Sequence, residues 1–196
     1  GHNQIGVNLV AVYYSRPICD PSKQGAAHFR FLSHMEYALM GVLVGKSAPD
    51  FDVAAVLGTG EIVDSYKRSE AMAGKYGLVF FYPLDFTFVC PSELIALDHR
   101  MDKFRELGVE VVAVSIDSQF THNAWRNTDV NNGGIGAVTY TMAADVNHDI
   151  CRSYDVETAG GVAFRGAFLI DKEGNVRSQL VNDLPLGRNV DELIRL

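Results

Sequence analysis

Two uninterrupted apolar runs, Leu78-Val79-Phe80-Phe81-Tyr82 and residues 109–116, constrain the fold of this chain more than any other feature. A run that is apolar at every position, with no polar alternation, suits a strand buried on both faces. Between the two, Leu94, Leu97, Met101 and Phe104 recur at helical spacing, and Gly108 is placed as a helix stop. The spacing predicts one helix through that stretch, so strand, helix and strand follow one another. Elsewhere, residues 53–57 and 61–63 read as a hairpin around Gly58-Thr59-Gly60. Helices are predicted over 121–127, 150–154 and 188–196, and strands over 140–144, 163–170 and 176–181. Residues 131–136 carry too many turn formers for anything regular. Strands alternating with helices predict an α/β fold, a central mixed sheet with helices on both faces.

Composition removes several function classes. The 196 residues are 47% hydrophobic, enough to offset the entropy of ordering and to exclude a disordered chain. The longest nearly uncharged run, residues 4–14, is too short to span a bilayer, and no membrane partner is expected. A formal net charge of −7 has the wrong sign for a phosphate-backbone binder, so no nucleic acid is expected either. Gly58-x-Gly60 is no nucleotide fingerprint, because no third glycine opens a helix after it. Neither a metal nor an organic cofactor is expected. Three scattered cysteines, Cys19, Cys90 and Cys151, are too few for a disulfide scaffold and suit a cytoplasmic protein. Residues 1–40 are acid-poor and read as an N-terminal extension, with organellar import as the alternative to a passive appendage. Residues 41–196 read as the domain.

Cys90 stands apart from the other two thiols. It follows the buried run and precedes Pro91 and Glu93, the residues of a first helical turn, which puts it at or near an N-cap. Free backbone N–H groups and the positive end of the helix dipole stabilise a thiolate there. The run Cys90-Pro91-Ser92-Glu93 has no second cysteine, so it is no C-x-x-C disulfide exchanger. His99 and His122 carry no signature of a protease base and read as exposed or packing residues. A thiolate that attacks an oxygen needs no base, only donors around the peroxide.

The segment Phe81-Tyr82-Pro83-Leu84-Asp85-Phe86-Thr87-Phe88-Val89-Cys90-Pro91-Ser92-Glu93 resembles the active-site segment of typical 2-Cys peroxiredoxins, the alkyl hydroperoxide reductase C type. The similarity runs on through Val114-Ser115-Ile116-Asp117-Ser118, Gly133-Gly134-Ile135-Gly136, Arg165-Gly166-Ala167-Phe168 and Asp183-Leu184-Pro185-Leu186-Gly187-Arg188. It implies a thioredoxin-like fold and a thiol peroxidase that reduces hydrogen peroxide and organic hydroperoxides through a cysteine sulfenic acid. Pro83, Thr87, Cys90 and Arg165 match the family's catalytic positions. By that resemblance Cys90 attacks the peroxide, Thr87 bonds to it, Arg165 supplies positive charge, and Pro83 shields the sulfenate. Glu93 and Arg188 match positions that hold Arg165. A holdase-type chaperone oligomer and a peroxide sensor or relay are the alternative functions.

The resemblance also implies a resolving cysteine in a C-terminal Val-Cys-Pro segment. That segment is not in the chain and is expected beyond Leu196; Cys151 and Cys19 are the alternatives. Further implied are a thioredoxin-like or flavoprotein disulfide reductant, a homodimer and a ring-shaped decamer. Phe86, Phe120 and Trp125 are candidate interface aromatics, and the strand over 176–181 is a candidate edge for self-pairing.

Overall fold

The computed structural model describes residues 41–87 and 89–196. The extension expected over residues 1–40, including Cys19, lies outside the described residues. The hairpin is formed by β1 (Asp52–Val56) and β2 (Ile62–Lys67), followed by the short α1 (Arg68–Ala71). The first apolar run is β3 (Tyr76–Phe81); α2 (Cys90–Asp98) and α3 (Met101–Glu106) lead to the second run, β4 (Val109–Ser115). Then come α4 (Gln119–Arg126), a single 3₁₀ turn (Val130–Asn132), β5 (Thr141–Ala144) and α5 (Asp149–Ser153). The last three elements are β6 (Arg165–Ile170), β7 (Val176–Asn182) and α6 (Val190–Arg195).

Seven strands form one sheet in the order β2-β1-β5-β4-β3-β6-β7. The centre is parallel, β3 with β4 and β4 with β5, while β1, β2, β6 and β7 join antiparallel. Both apolar runs therefore occupy the middle, where each face of a strand is covered. Side chains alternate between two cores. Leu78, Phe80 and Tyr82 enter one with Cys90, Leu94 and Leu97. Val79 and Phe81 enter the other with Cys151, Ile150 and Phe168. Cys90 and Cys151 thus lie on opposite faces of the sheet.

The single helix expected through residues 94–104 is two helices. The backbone leaves the α region at Arg100 (φ −109°, ψ 0°). The helix end is fixed from outside, since Thr139 donates to the Asp98 carboxylate from both its N–H and its hydroxyl. Arg100 is drawn to Asp191 of α6 by two hydrogen bonds. The apolar period survives the break, and Leu94, Leu97, Met101 and Phe104 are all buried.

The loop over 131–136 is irregular apart from its 3₁₀ turn, and its glycines have separate reasons. Gly133 and Gly136 have φ of 83° and 72°, in the left-handed region. A Cβ on Gly134 would sit 1.9 Å from the Thr128 carbonyl oxygen, so only glycine allows the approach. The loop covers Trp125, whose Nε1–H donates to the Gly133 carbonyl at 2.9 Å.

Candidate active site

Proline sets where the site begins. Pro83 is buried two residues past the end of β3 at Phe81 and, lacking an N–H, cannot extend the ladder. The chain then turns through Asp85 and Phe86 before entering α2. Asp85 anchors this turn: its N–H donates to Asp117 Oδ2 at 2.9 Å, and its carboxylate accepts from the Tyr82 hydroxyl at 2.6 Å. His122 of α4 lies with Nδ1 2.8 Å from the other Asp85 oxygen and Nε2 3.2 Å from the Ala143 carbonyl. Ser115 donates to Asp117 at 2.7 Å. Burial raises the Asp117 carboxyl above its ordinary range, and the Asp85 charge adds to that. Burial likewise drives the Tyr82 phenol well above its usual value, again helped by Asp85. Phe86 adopts φ 54°, and its ring leans on Trp125 with centroids 5.8 Å apart. The Thr87 hydroxyl donates to the Leu84 carbonyl at 3.0 Å and is half-buried.

Cys90 is the first residue of α2; the N-cap is Val89, one position before the expected one. Only 1% of Cys90 is exposed. Pro91 follows in the first turn, where its missing N–H leaves no helical bond unmade. Arg165, at the start of β6, brings Nη1 to 3.6 Å from the Cys90 sulfur. The same nitrogen donates to Glu93 Oε2, and Nε donates to the Leu184 carbonyl at 2.6 Å.

Glu93, one turn into α2, is buried and shared by two guanidinium groups. Arg188 donates to Glu93 Oε1 from its backbone N–H at 2.7 Å and from Nε at 3.0 Å. Its Nη1 reaches the Gly166 carbonyl, and its guanidinium stacks 3.4 Å from the Phe80 ring centroid. Burial alone would raise the Glu93 carboxyl, but hydrogen bonds and charge from Arg188, with Arg165 beyond, carry it below its ordinary value. Burial pulls Arg188 down to about 10, against the opposing pull of Glu93, so it remains charged at neutral pH. Two cations and one carboxylate leave a net positive charge beside the sulfur.

Comparison with known proteins places the chain in a family. The AhpC/TSA family pattern covers residues 44–179. The chain belongs to the AhpC/TSA family. Alkyl hydroperoxide reductase C of Helicobacter pylori is 51% identical over 155 residues, which cover 79% of this chain and 78% of the relative. Peroxiredoxin-2 of Macaca fascicularis is 50% identical over 157 residues, 78% of this chain and 76% of the relative. Among solved structures, the reduced 2-Cys peroxiredoxin of Plasmodium vivax superposes with TM-score 0.76 at 44% identity, covering 79% of each chain. The fold is thioredoxin-like, and the protein is a thiol peroxidase of the peroxiredoxin kind.

Within this peroxiredoxin the structure joins Cys90, Arg165, Glu93 and Arg188 in one hydrogen-bonded cluster, and places Pro83 and Thr87 in the loop that leads into it. Among the described residues, no hydrogen bond runs from Thr87 to Cys90. Trp125 is no interface residue on this protomer's surface: it is 0% exposed and packs against Tyr82 and Phe86. Trp125 and Arg126 lie three and four residues after His122, and the three form the buried stripe of α4. Phe86 and Phe120 are exposed, at 52% and 66%.

The His122–Asp85–Tyr82 network goes beyond the sequence expectation, in which His122 is an exposed or packing residue. The available signal was its place on the same helical stripe as Trp125. Cys151 is buried on the opposite sheet face, and burial, with Asp145 next to it, pushes its thiol up to about 12. No helix among the described residues is long and apolar enough to cross a membrane.

Proposed function

We propose that Cys90 is the peroxidatic nucleophile of this thiol peroxidase and that Arg165 is its electrostatic partner. The observation that carries the reading is the Arg165 guanidinium, held between the Cys90 sulfur and the Glu93 carboxylate. The Cys90 thiolate attacks the distal oxygen of a hydroperoxide. An S–O bond forms as the O–O bond breaks, and the departing oxygen takes a proton to leave as water or an alcohol. Arg165 faces the charge that develops along the breaking bond, and both it and Cys90 are buried. Thr87 exchanges its Leu84 carbonyl for the peroxide oxygen, and buried Pro83 keeps water from the sulfenic acid. Glu93 and Arg188 position Arg165.

A second thiol then condenses with the sulfenic acid and releases water, leaving a disulfide for an external thioredoxin-like or flavoprotein reductant to open. Cys151 is unsuited to that step by its place across the sheet. The exposed edge of β7, last in the sheet, supports a homodimer formed by strand pairing, and Phe86 and Phe120 suit contacts in a larger ring. A buried free thiol that must be regenerated between turnovers suits the reducing cytoplasm.

Stopped-flow mixing with hydrogen peroxide tests the assignment. Cys90→Ser is expected to abolish fast consumption, and Arg165→Lys to slow it by about 10²-fold or more, as expected when a charge-stabilising donor is displaced. A Cys90→Ser protein that consumes peroxide at the parent rate overturns the reading.

A further inference from the structure

Three side chains with different donor atoms converge around the turn into α5, on the sheet face opposite Cys90. His148 precedes α5 with φ 63°, a left-handed conformation that costs a residue with a Cβ about 1 kcal/mol or more. That turn brings its Nδ1 to 2.7 Å from Glu157 Oε1. Glu157 is fixed in turn by an isolated bridge to Ala163. Cys151 folds back over the same turn, its Sγ 3.4 Å from the His148 carbonyl. One imidazole nitrogen, one sulfur and one carboxylate oxygen lie within 4.8 Å of one another.

We propose that His148, Cys151 and Glu157 form a zinc site. Nitrogen, sulfur and carboxylate oxygen are the donors zinc takes, and a tetrahedral ion holds them roughly 3.3–3.8 Å apart; the His148–Glu157 pair at 2.7 Å would open to that range, and the widest separation, at most 4.8 Å, would close to it. The field around the sulfur favours a cation. The Asp145 carboxylate accepts from the Cys151 backbone N–H at 2.8 Å, so Asp145 and Glu157 both set negative charge near the sulfur. With a divalent ion present the same carboxylates attract it, and the ion displaces the thiol proton to solvent. His148 ligates as a neutral ring and keeps its other N–H. Arg152 donates from Nε to Glu157 Oε2 at 2.8 Å and from Nη2 to Oε1 at 3.3 Å; on metal binding it keeps the shorter bond, which orients the carboxylate, and gives up the longer one as Oε1 turns to the metal. The His148 and Glu157 side chains are each about a quarter exposed, which opens a path for the ion and leaves room for a water as fourth ligand.

Cobalt(II) and zinc(II) titrations of the reduced chain test the site. One equivalent of cobalt is expected to give a thiolate-to-metal charge-transfer band, displaced by one equivalent of zinc. Cys151→Ser abolishes the band and weakens zinc binding at least 10-fold, while Cys90→Ser and Cys19→Ser leave both unchanged. His148→Asn keeps a residue that tolerates the left-handed turn but removes the ligand, and weakens binding likewise. Far-UV circular dichroism confirms that each variant is folded. Absence of stoichiometric binding, or binding that survives Cys151→Ser and His148→Asn, overturns the proposal.

Discussion

Glu93 accepts hydrogen bonds from two buried guanidinium groups, and its own charge is what makes their burial tolerable. Removing that charge leaves Arg165 and Arg188 uncompensated in a site where neither is more than 8% exposed. Glu93→Gln is expected to destabilise the fold by about 3 kcal/mol and to slow peroxide reduction, because Arg165 loses the partner that aims it at Cys90. The sign of the pH dependence follows from the direction of the shift. The folded Glu93 carboxyl titrates below its ordinary value, so on acidification the unfolded chain takes up a proton first. The stabilisation is full above the ordinary carboxylate range and is lost as pH falls through the folded value. Thermal melts of parent and Glu93→Gln between neutral pH and pH 3 should converge on the acid side. Parallel curves across that range would show that Glu93 contributes no such linkage.

At the scale of elements, the two connections that shape the site are held by backbone contacts more than by side-chain volume. The turn from β3 into α2 is tied through the Asp85 N–H and carboxylate, and the glycine loop is tied through the close approach of Gly134 to Thr128. Gly134→Ala must push the two segments apart. It should cost at least about 2 kcal/mol, a fall of roughly 4–8 °C in Tm for a chain of this size. It should also loosen the cover over Trp125, read as a red shift of tryptophan emission, because Trp125 is the one tryptophan in the chain. An unchanged Tm would mean the approach of the two loops is not constrained. Much of this level was legible beforehand. Apolar runs, the proline stop and the Cys90-Pro91 helix start are local signals, and the expected strands and the other expected helices formed within a few residues of their places, while the short α1 is outside the sequence expectation. The break at Arg100 was not legible, because the partners that fix it, Thr139 and Asp191, are about 40 and 90 residues away.

The whole molecule is a sheet with a separate core on each face, and this decides which thiols can meet. Cys90 belongs to one core and Cys151 to the other, with the central strands between them. One equivalent of peroxide added to a Cys19→Ser chain should therefore yield no intrachain Cys90–Cys151 disulfide on non-reducing peptide mapping. Finding that disulfide would require the sheet to open during turnover. The same separation would let the proposed metal site at Cys151 coexist with the proposed peroxide chemistry at Cys90.

The sequence by itself determined the α/β class, the family and the placing of Cys90 at a helix start, since strand period, helix punctuation and motif order are encoded locally. The grouping of Arg165 and Arg188 with Glu93 was implied by resemblance alone; the tertiary structure decided the geometry by which the two guanidinium groups, 72 and 95 residues away, meet on its carboxylate. It alone buried Trp125, knotted His122 to Asp85 and Tyr82, and put Cys151 across the sheet from Cys90. Contacts of that range depend on how β6 and β7 add beside β3, and only the sheet order brings them together.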